Sequence, residues 1–248
     1  MKKIINSIII FIVKTAIKIH KKINRESFNA RIWSNNELKK TAHFFSGKVI
    51  NVSGGNDNDK QNNVYKNYFV NKSSYSISNY NKTGLKNEII LDLEKKIQDK
   101  LVKVFDVVFS HTVLEHVYDI DTAIKNLCKL SDDVIITVVP FLQTYHHEEK
   151  FYFDYWRFSP LSLIKKFGQH GFKTVYINWN NDAFGNLYIF HIASCKPEKY
   201  KKVSAINKDI VNQYAPGYYR QNIFSFSKRN SGRITIKMLD RIINTDKQ

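Results

Sequence analysis

Proton transfer is the chemistry most directly offered by the side chains of this sequence. Histidine changes charge nearest neutral pH and is the usual general base. The candidates are His111, His116 and the adjacent pair His146-His147. A second constellation is Asp154-Tyr155-Trp156-Arg157-Phe158-Ser159-Pro160, which sets an anion, a planar guanidinium and aromatic rings in one loop. Such a loop suits a polar, hydroxyl-rich substrate, with Arg157 able to grip phosphate or carboxylate bidentately. The same residues also read as a structural clasp in which Asp154 pairs with Arg157 and the rings fill core. A third group, Ser53-Gly54-Gly55, follows an apolar run, and its glycines allow close backbone approach to a ligand or simply a tight turn. Glu115 lies beside histidines, but the spacings match no zinc signature, and no metal is expected. The two cysteines, Cys128 and Cys195, sit in apolar runs that read as core, so neither a disulfide framework nor a thiolate metal site is expected.

These groups need a scaffold, and the apolar pattern supplies one. Apolar residues make up 43 % of the chain, enough for a sizeable core. Helical patterns cover Glu37 to Phe45, closed by Gly47; Asp121 to Leu130; and Pro160 to His170, ended by Gly171. Strands are expected at Lys48 to Val52, Ser74 to Asn79, Phe105 to Phe109, Val134 to Val139 (stopped by Pro140), Phe172 to Trp179 and Leu187 to Cys195. Glu88 to Leu91 is a further short apolar run. Phe105 to Phe109 and Val134 to Val139 do not alternate, which marks strands buried on both faces. Strand-helix-strand alternation predicts an α/β fold with a mostly parallel central sheet and helices on both faces. The last two strands suit an antiparallel hairpin at the sheet's edge. Ligands in such sheets bind at the carboxyl ends of the strands, where the strand order reverses.

The string Phe105-Asp106-Val107-Val108-Phe109-Ser110-His111-Thr112-Val113-Leu114-Glu115-His116-Val117 resembles the fourth-strand signature of class I S-adenosylmethionine-dependent methyltransferases, of the branch known as methyltransferase type 11. Ala123, Asn126, Leu127 and Leu130 resemble that branch's next helix, and Val134 to Pro140 its fifth strand. Asp132-Asp133 stands where the branch usually has a Pro-Gly-Gly turn. Asp154 to Pro160 is similar to a string found in members encoded with bacterial surface-polysaccharide genes. The resemblance spans about residues 47–196 and implies a Rossmann-like class I methyltransferase fold with S-adenosylmethionine as cofactor. It also implies that Asn51, Ser53, Gly54, Gly55, Asn79, Asp92 and His111 line the cofactor site, and that Asp154, Tyr155, Trp156 and Arg157 meet the substrate. His116 and His146 are the catalytic candidates. The sequence departs from the family at several of these positions. Asn51 and Asn79 stand where acids are usual, and Ser53, Gly55 and Asp57 stand at the three positions of a Gly-x-Gly-x-Gly turn.

Net charge is +17, which points to anionic partners. Residues 1–25 hold seven Lys or Arg and no acid, and wind into a helix with Ile4, Ile5, Ile8, Ile9, Ile12, Ala16 and Ile19 on one face. That pattern suits a helix lying in an anionic membrane surface, or one packed on the domain's own core. The apolar run Ile8 to Val13 falls short of the ~20 residues of a span. The organisation expected is a basic amphipathic helix at 1–30, the methyltransferase-like domain at 31–198 and a basic extension at 199–248. In that extension Tyr218, Tyr219, Arg220, Phe224, Phe226, Lys228 and Arg229 mix aromatics with cations, but nucleic acid is not the favoured partner. The resemblance implies O-methylation of a sugar or lipid-linked glycan in polysaccharide biosynthesis. The location is then the cytoplasm, or the periphery of the inner membrane surface. The alternative is a catalytically degenerate, methyltransferase-like binding protein in a polysaccharide assembly complex.

Overall fold

The computed structural model describes residues 2–23, 29–148, 152–180 and 186–206. Two helices, α1 (Lys2–Ile23) and α2 (Asn29–Thr41), lead into the first strand, β1 (Ser46–Val52). Then come β2 (Asn71–Asn79), β3 (Ile89–Ile90), β4 (Phe105–His111), α3 (Ile120–Leu130) and β5 (Ser131–Leu142). The described chain closes with α4 (Pro160–Gly168), β6 (Lys173–Trp179), β7 (Leu187–Ser194) and α5 (Lys201–Ile206).

Seven strands form one sheet in the order β3-β2-β1-β4-β5-β7-β6. The first five are mutually parallel, and β7 runs antiparallel between β5 and β6. The hairpin expected from the last two apolar runs is therefore present, with its second strand inserted inside the edge. The order reverses between β1 and β4, so their carboxyl ends, Val52 and His111, flank the switch point.

The uninterrupted apolar strands have a physical cause, because each face of the sheet carries its own core. On one face Ile50, Val108 and Ile135 meet Ala123, Leu127, Leu163 and Phe167 of α3 and α4. On the other, Val49, Val107, Phe109 and Ile136 meet Ala30 and Leu38 of α2 and Val203 of α5. Side chains alternate in direction along a strand, so a strand with both faces covered has no solvated position.

Four local expectations are revised. α2 begins eight residues before the apolar periodicity suggests, because its first two turns contribute Arg31 and Ser34 to the site rather than to the core. Gly47 lies inside β1 at φ +101°, and a Cβ there would fall 2.2 Å from the Asp106 carboxylate, which accepts from the Lys48 amide. Pro140 does not end β5. The pairing of β5 with β4 finishes at Val138, so the missing N–H removes no parallel ladder bond, and the strand continues to Leu142 against β7. Asp132-Asp133 forms no turn, since α3 runs directly into β5. Lys103 Nζ donates to Cys128 O and Ser131 O at 3.2 and 2.6 Å, closing the helix end as a cation can.

Candidate active site

The loop after β1 is built on three left-handed residues. Ser53, Gly55 and Asp57 have φ of +55°, +56° and +61°. A left-handed residue other than glycine costs roughly 1–2 kcal/mol, least for Asn and Asp. Ser53 and Asp57 bear that strain, so the backbone path of a three-glycine turn persists where two of the glycines do not. Gly54 has no alternative side chain, because a Cβ would meet Asn51 Nδ2 at 2.5 Å. A Cβ on Gly55 would meet nothing within 4 Å, so the loop opens onto free space at that residue.

Each strand-end asparagine is joined to a carboxylate later in the chain. Asn51 Nδ2 donates to Asp57 Oδ1 at 2.7 Å. Asp57 is buried and also accepts from the Tyr75 hydroxyl at 2.6 Å and the Lys66 amide at 2.9 Å. Asn79 Oδ1 accepts from Gly55 N at 2.9 Å, and its Nδ2 donates to Glu88 Oε2 at 3.1 Å. The Asn79 side chain and, after it, Thr83 and the amides of Gly84 and Thr83 hold the Glu88 carboxyl down at about 2. Negative charge missing from the ends of β1 and β2 is thus present one hydrogen bond away. Asp57 appears in the sequence only as a lost glycine, and Glu88 lies in a run too short to assign. Asp92, past β3, pairs with Lys95 at 3.3 Å and accepts from the Glu94 amide.

At the end of β4, both ring nitrogens of His111 are engaged. Arg31 Nη1 donates to Nδ1 at 3.2 Å, and Nε2 lies 2.8 Å from Ser34 Oγ, whose own hydrogen goes to Arg31 O. The proton of the neutral ring therefore sits on Nε2. Burial, and next the adjacent guanidinium, holds the imidazole well below its usual range, so it stays neutral. The Arg31 guanidinium also lies close to Tyr65 and Tyr188, whose hydroxyls burial pushes up, so α2 reaches across the switch point.

The histidines on the β4 and β5 loops are arranged differently. His116 Nδ1 faces Phe153 O at 2.6 Å, an acceptor only, so Nδ1 carries the proton and Nε2 keeps its lone pair. Burial lowers its basicity. His146 Nδ1 lies 3.2 Å from Asp154 Oδ2 and 3.3 Å from Thr144 O, which fixes the same tautomer. The two rings stand edge to face, with centroids 5.2 Å apart. Between them and the core lies Glu115, 1 % exposed, its Oε1 3.8 Å from His116 Nε2 and its Oε2 without a partner. Burial pushes this carboxyl up to about 8, so it is mostly protonated at neutral pH.

Asp154 and Arg157 form a bidentate pair, at 2.5 and 2.6 Å. The remaining guanidinium hydrogens go to Trp156 O and Gln143 O, and the His146 amide donates to Asp154. All five donors of Arg157 are used within the protein, which is the clasp arrangement. The neighbouring rings face outward. Tyr155 and Tyr118 meet at 5.3 Å, Phe153 and Tyr155 at 6.0 Å, and the Trp156 indole donates to Val117 O and Tyr118 O. Tyr118 is 69 % exposed and Trp156 37 %, and Tyr145, Tyr152, Phe153 and Tyr155 are also exposed, forming an aromatic apron beside the two histidines. The His147 ring lies tilted against Tyr145, with centroids 5.2 Å apart.

The sheet order, the inserted antiparallel strand and the helices on both faces make this a Rossmann-like fold of the class I methyltransferase type. No protein-family profile matches the chain, and no curated protein is similar to it in sequence. Solved structures similar to it include S-adenosylmethionine-dependent methyltransferases. The Burkholderia thailandensis 1,6-didemethyltoxoflavin-N1-methyltransferase, solved with S-adenosylhomocysteine, is 10 % identical, with a TM-score of 0.47 over 73 % of this chain and 88 % of that one. A methyltransferase of Clostridium acetobutylicum is 9 % identical, with a TM-score of 0.46 over 73 % and 98 %. The Synechocystis magnesium protoporphyrin IX methyltransferase, also solved with S-adenosylhomocysteine, is 11 % identical, with a TM-score of 0.43 over 66 % and 82 %.

Proposed function

We propose that this chain is an S-adenosylmethionine-dependent methyltransferase that O-methylates a sugar or lipid-linked glycan in bacterial cell-surface polysaccharide biosynthesis. One observation carries the reading. At the switch point, the three positions of the family's glycine turn are all left-handed and open onto free space at Gly55. A serine and an aspartate held in that conformation imply selection for the backbone path, which is the part of the turn that approaches a cofactor.

The cofactor, when bound, supplies an electrophilic methyl group on a sulfonium. Backbone of Ser53, Gly54 and Gly55 would hold it, with Asn51 keeping the loop in place through Asp57. Asn79 and Glu88 together offer an amide and a carboxylate to ribose hydroxyls, and Asp92 an acceptor to an adenine amine. Arg31, neutral His111 beside it, offers the cation that an amino-acid carboxylate requires. For a hydroxyl nucleophile, His116 takes the proton at Nε2, whose lone pair is set by Phe153 O, and His146 is the neighbouring candidate for the same role. The aromatic apron from Tyr118 to Trp156 favours a sugar acceptor, since flat rings with polar tips suit a ring-shaped ligand edged with hydroxyls. A lipid-linked acceptor places the work in the cytoplasm, at the periphery of the inner membrane.

Isothermal titration with S-adenosylhomocysteine tests the reading, with saturable heat expected. No heat at millimolar ligand overturns it in favour of a catalytically degenerate binding protein. The saturation of Asn51 and Asn79 by the chain's own carboxylates favours that second reading.

A further inference from the structure

The described side chains of α1 turn their bulk away from the protein. Ile5, Ile8, Ile9, Ile10, Ile12 and Ile19 are 37–59 % exposed and Phe11 is 71 % exposed, the densest run of bare aliphatic surface among the described residues. Surface helices of globular domains bury such residues against a core, whereas the described side chains of α1 are absent from both cores of this fold. At 100° per residue, Ile5, Ile8, Ile9, Ile12, Ala16 and Ile19 occupy one face, and Lys14 lies opposite, together with the sequence positions Lys3, Lys18 and Lys21.

We propose that α1 is a membrane-surface anchor, its isoleucine face set into the interface of an anionic phospholipid bilayer and its lysines meeting the head groups. The proposal stands apart from the methyl-transfer reading. The helix has 22 residues, but no described helix is long and apolar enough to cross a membrane, so it lies in the surface plane. Charge selects the occupant. Residues 1–25 carry seven cations and no acid, so a second copy of the same helix would set like charge against like. The chain's own residues 207–248 hold eight Lys or Arg against three Asp and are a poor partner for the same reason. Anionic lipid supplies both an apolar layer and the opposite charge.

The test is co-sedimentation of the full chain with vesicles. Phosphatidylcholine vesicles containing phosphatidylglycerol should bring the protein down, and phosphatidylcholine alone should leave most of it in solution. Lys14→Ala should weaken partitioning about fivefold. The triple variant Ile8→Ser, Ile9→Ser, Ile12→Ser should weaken it by more than about tenfold. All three side chains are exposed, so the melting temperature and S-adenosylhomocysteine titration of the variant should match the parent. A methyltransferase that ignores vesicles overturns the anchor alone, and a chain that binds vesicles but no cofactor overturns the enzyme alone. Binding that survives the triple substitution also overturns the anchor. So does a dimer in solution, abolished by that substitution, in a protein that shows no affinity for vesicles.

Discussion

The two sides of the switch point solve the problem of buried polar groups in opposite ways. On the β1–β2 side, every strand-end amide named above has a partner, and the charges of Asp57 and Glu88 are held by several donors each. On the β4–β5 side, Ser110 Oγ, Glu115 Oε2 and Gln143 Oε1 are buried without a hydrogen-bond partner. The first side is organised before any ligand arrives. The second retains buried polar atoms without partners on the side that carries the exposed rings, a cost in stability that the first side does not bear at its strand-end amides.

The contrast should be visible in pH dependence. Glu115, ordinarily near 4.5, is pushed up to about 8 by burial, so the folded state holds a proton that the unfolded chain releases. Its contribution is therefore intact below about pH 4.5 and lost as pH rises toward 8, on the order of 4 kcal/mol across the window. Glu115→Gln should remove that slope, leaving the variant more stable than the parent at pH 8.5 and similar to it at pH 4.5 in urea titrations. Equal slopes would show that the unmet carboxyl is not what distinguishes this side. Glu88 has the opposite sign. Its carboxyl is held near 2, so its contribution is present above pH 4.5 and fades as pH falls toward 2.

Removing a carboxylate from the satisfied side should be the next most costly change. Asp57→Ala strands Asn51 Nδ2, the Tyr75 hydroxyl and the Lys66 amide, and should cost about 3 kcal/mol in a denaturant titration. It should also abolish S-adenosylhomocysteine binding, since the loop path depends on it. Arg157→Lys tests the clasp. An ammonium cannot reproduce the bidentate pair with Asp154, and a loss of about 2 kcal/mol is expected with cofactor binding unchanged, because the clasp lies on the other side. The smallest effect should be a gain. Ser53→Gly relieves a left-handed serine and should stabilise the fold by about 0.5–1 kcal/mol, a shift in urea midpoint with unchanged slope.

Much of the fold is legible in residue order. Runs such as Phe105 to Phe109 and Val134 to Val139 declare buried parallel strands because a strand covered on both faces has no polar positions to alternate with. Gly171 closes its helix region at φ +82°, as its type suggests. The strand-end loops were legible too, since they follow directly from where those runs stop. Illegible were partners that meet only through space. Arg31 and Ser34 precede the sheet and carry no motif, yet they hold both nitrogens of His111. Glu115 reads as a companion of His116, and only packing reveals that its Oε2 faces no donor.

Residue order alone specifies the strands, their buried character and the loops at the switch point, because apolar periodicity and turn chemistry are short-range properties of the chain. Contacts through space settle which carboxylate answers each strand-end asparagine, which nitrogen of His111, His116 and His146 carries the proton, and that Arg157 is spent on Asp154. Hydrogen bonds are fixed by distances of about 3 Å between residues tens of positions apart, and no local pattern encodes those distances.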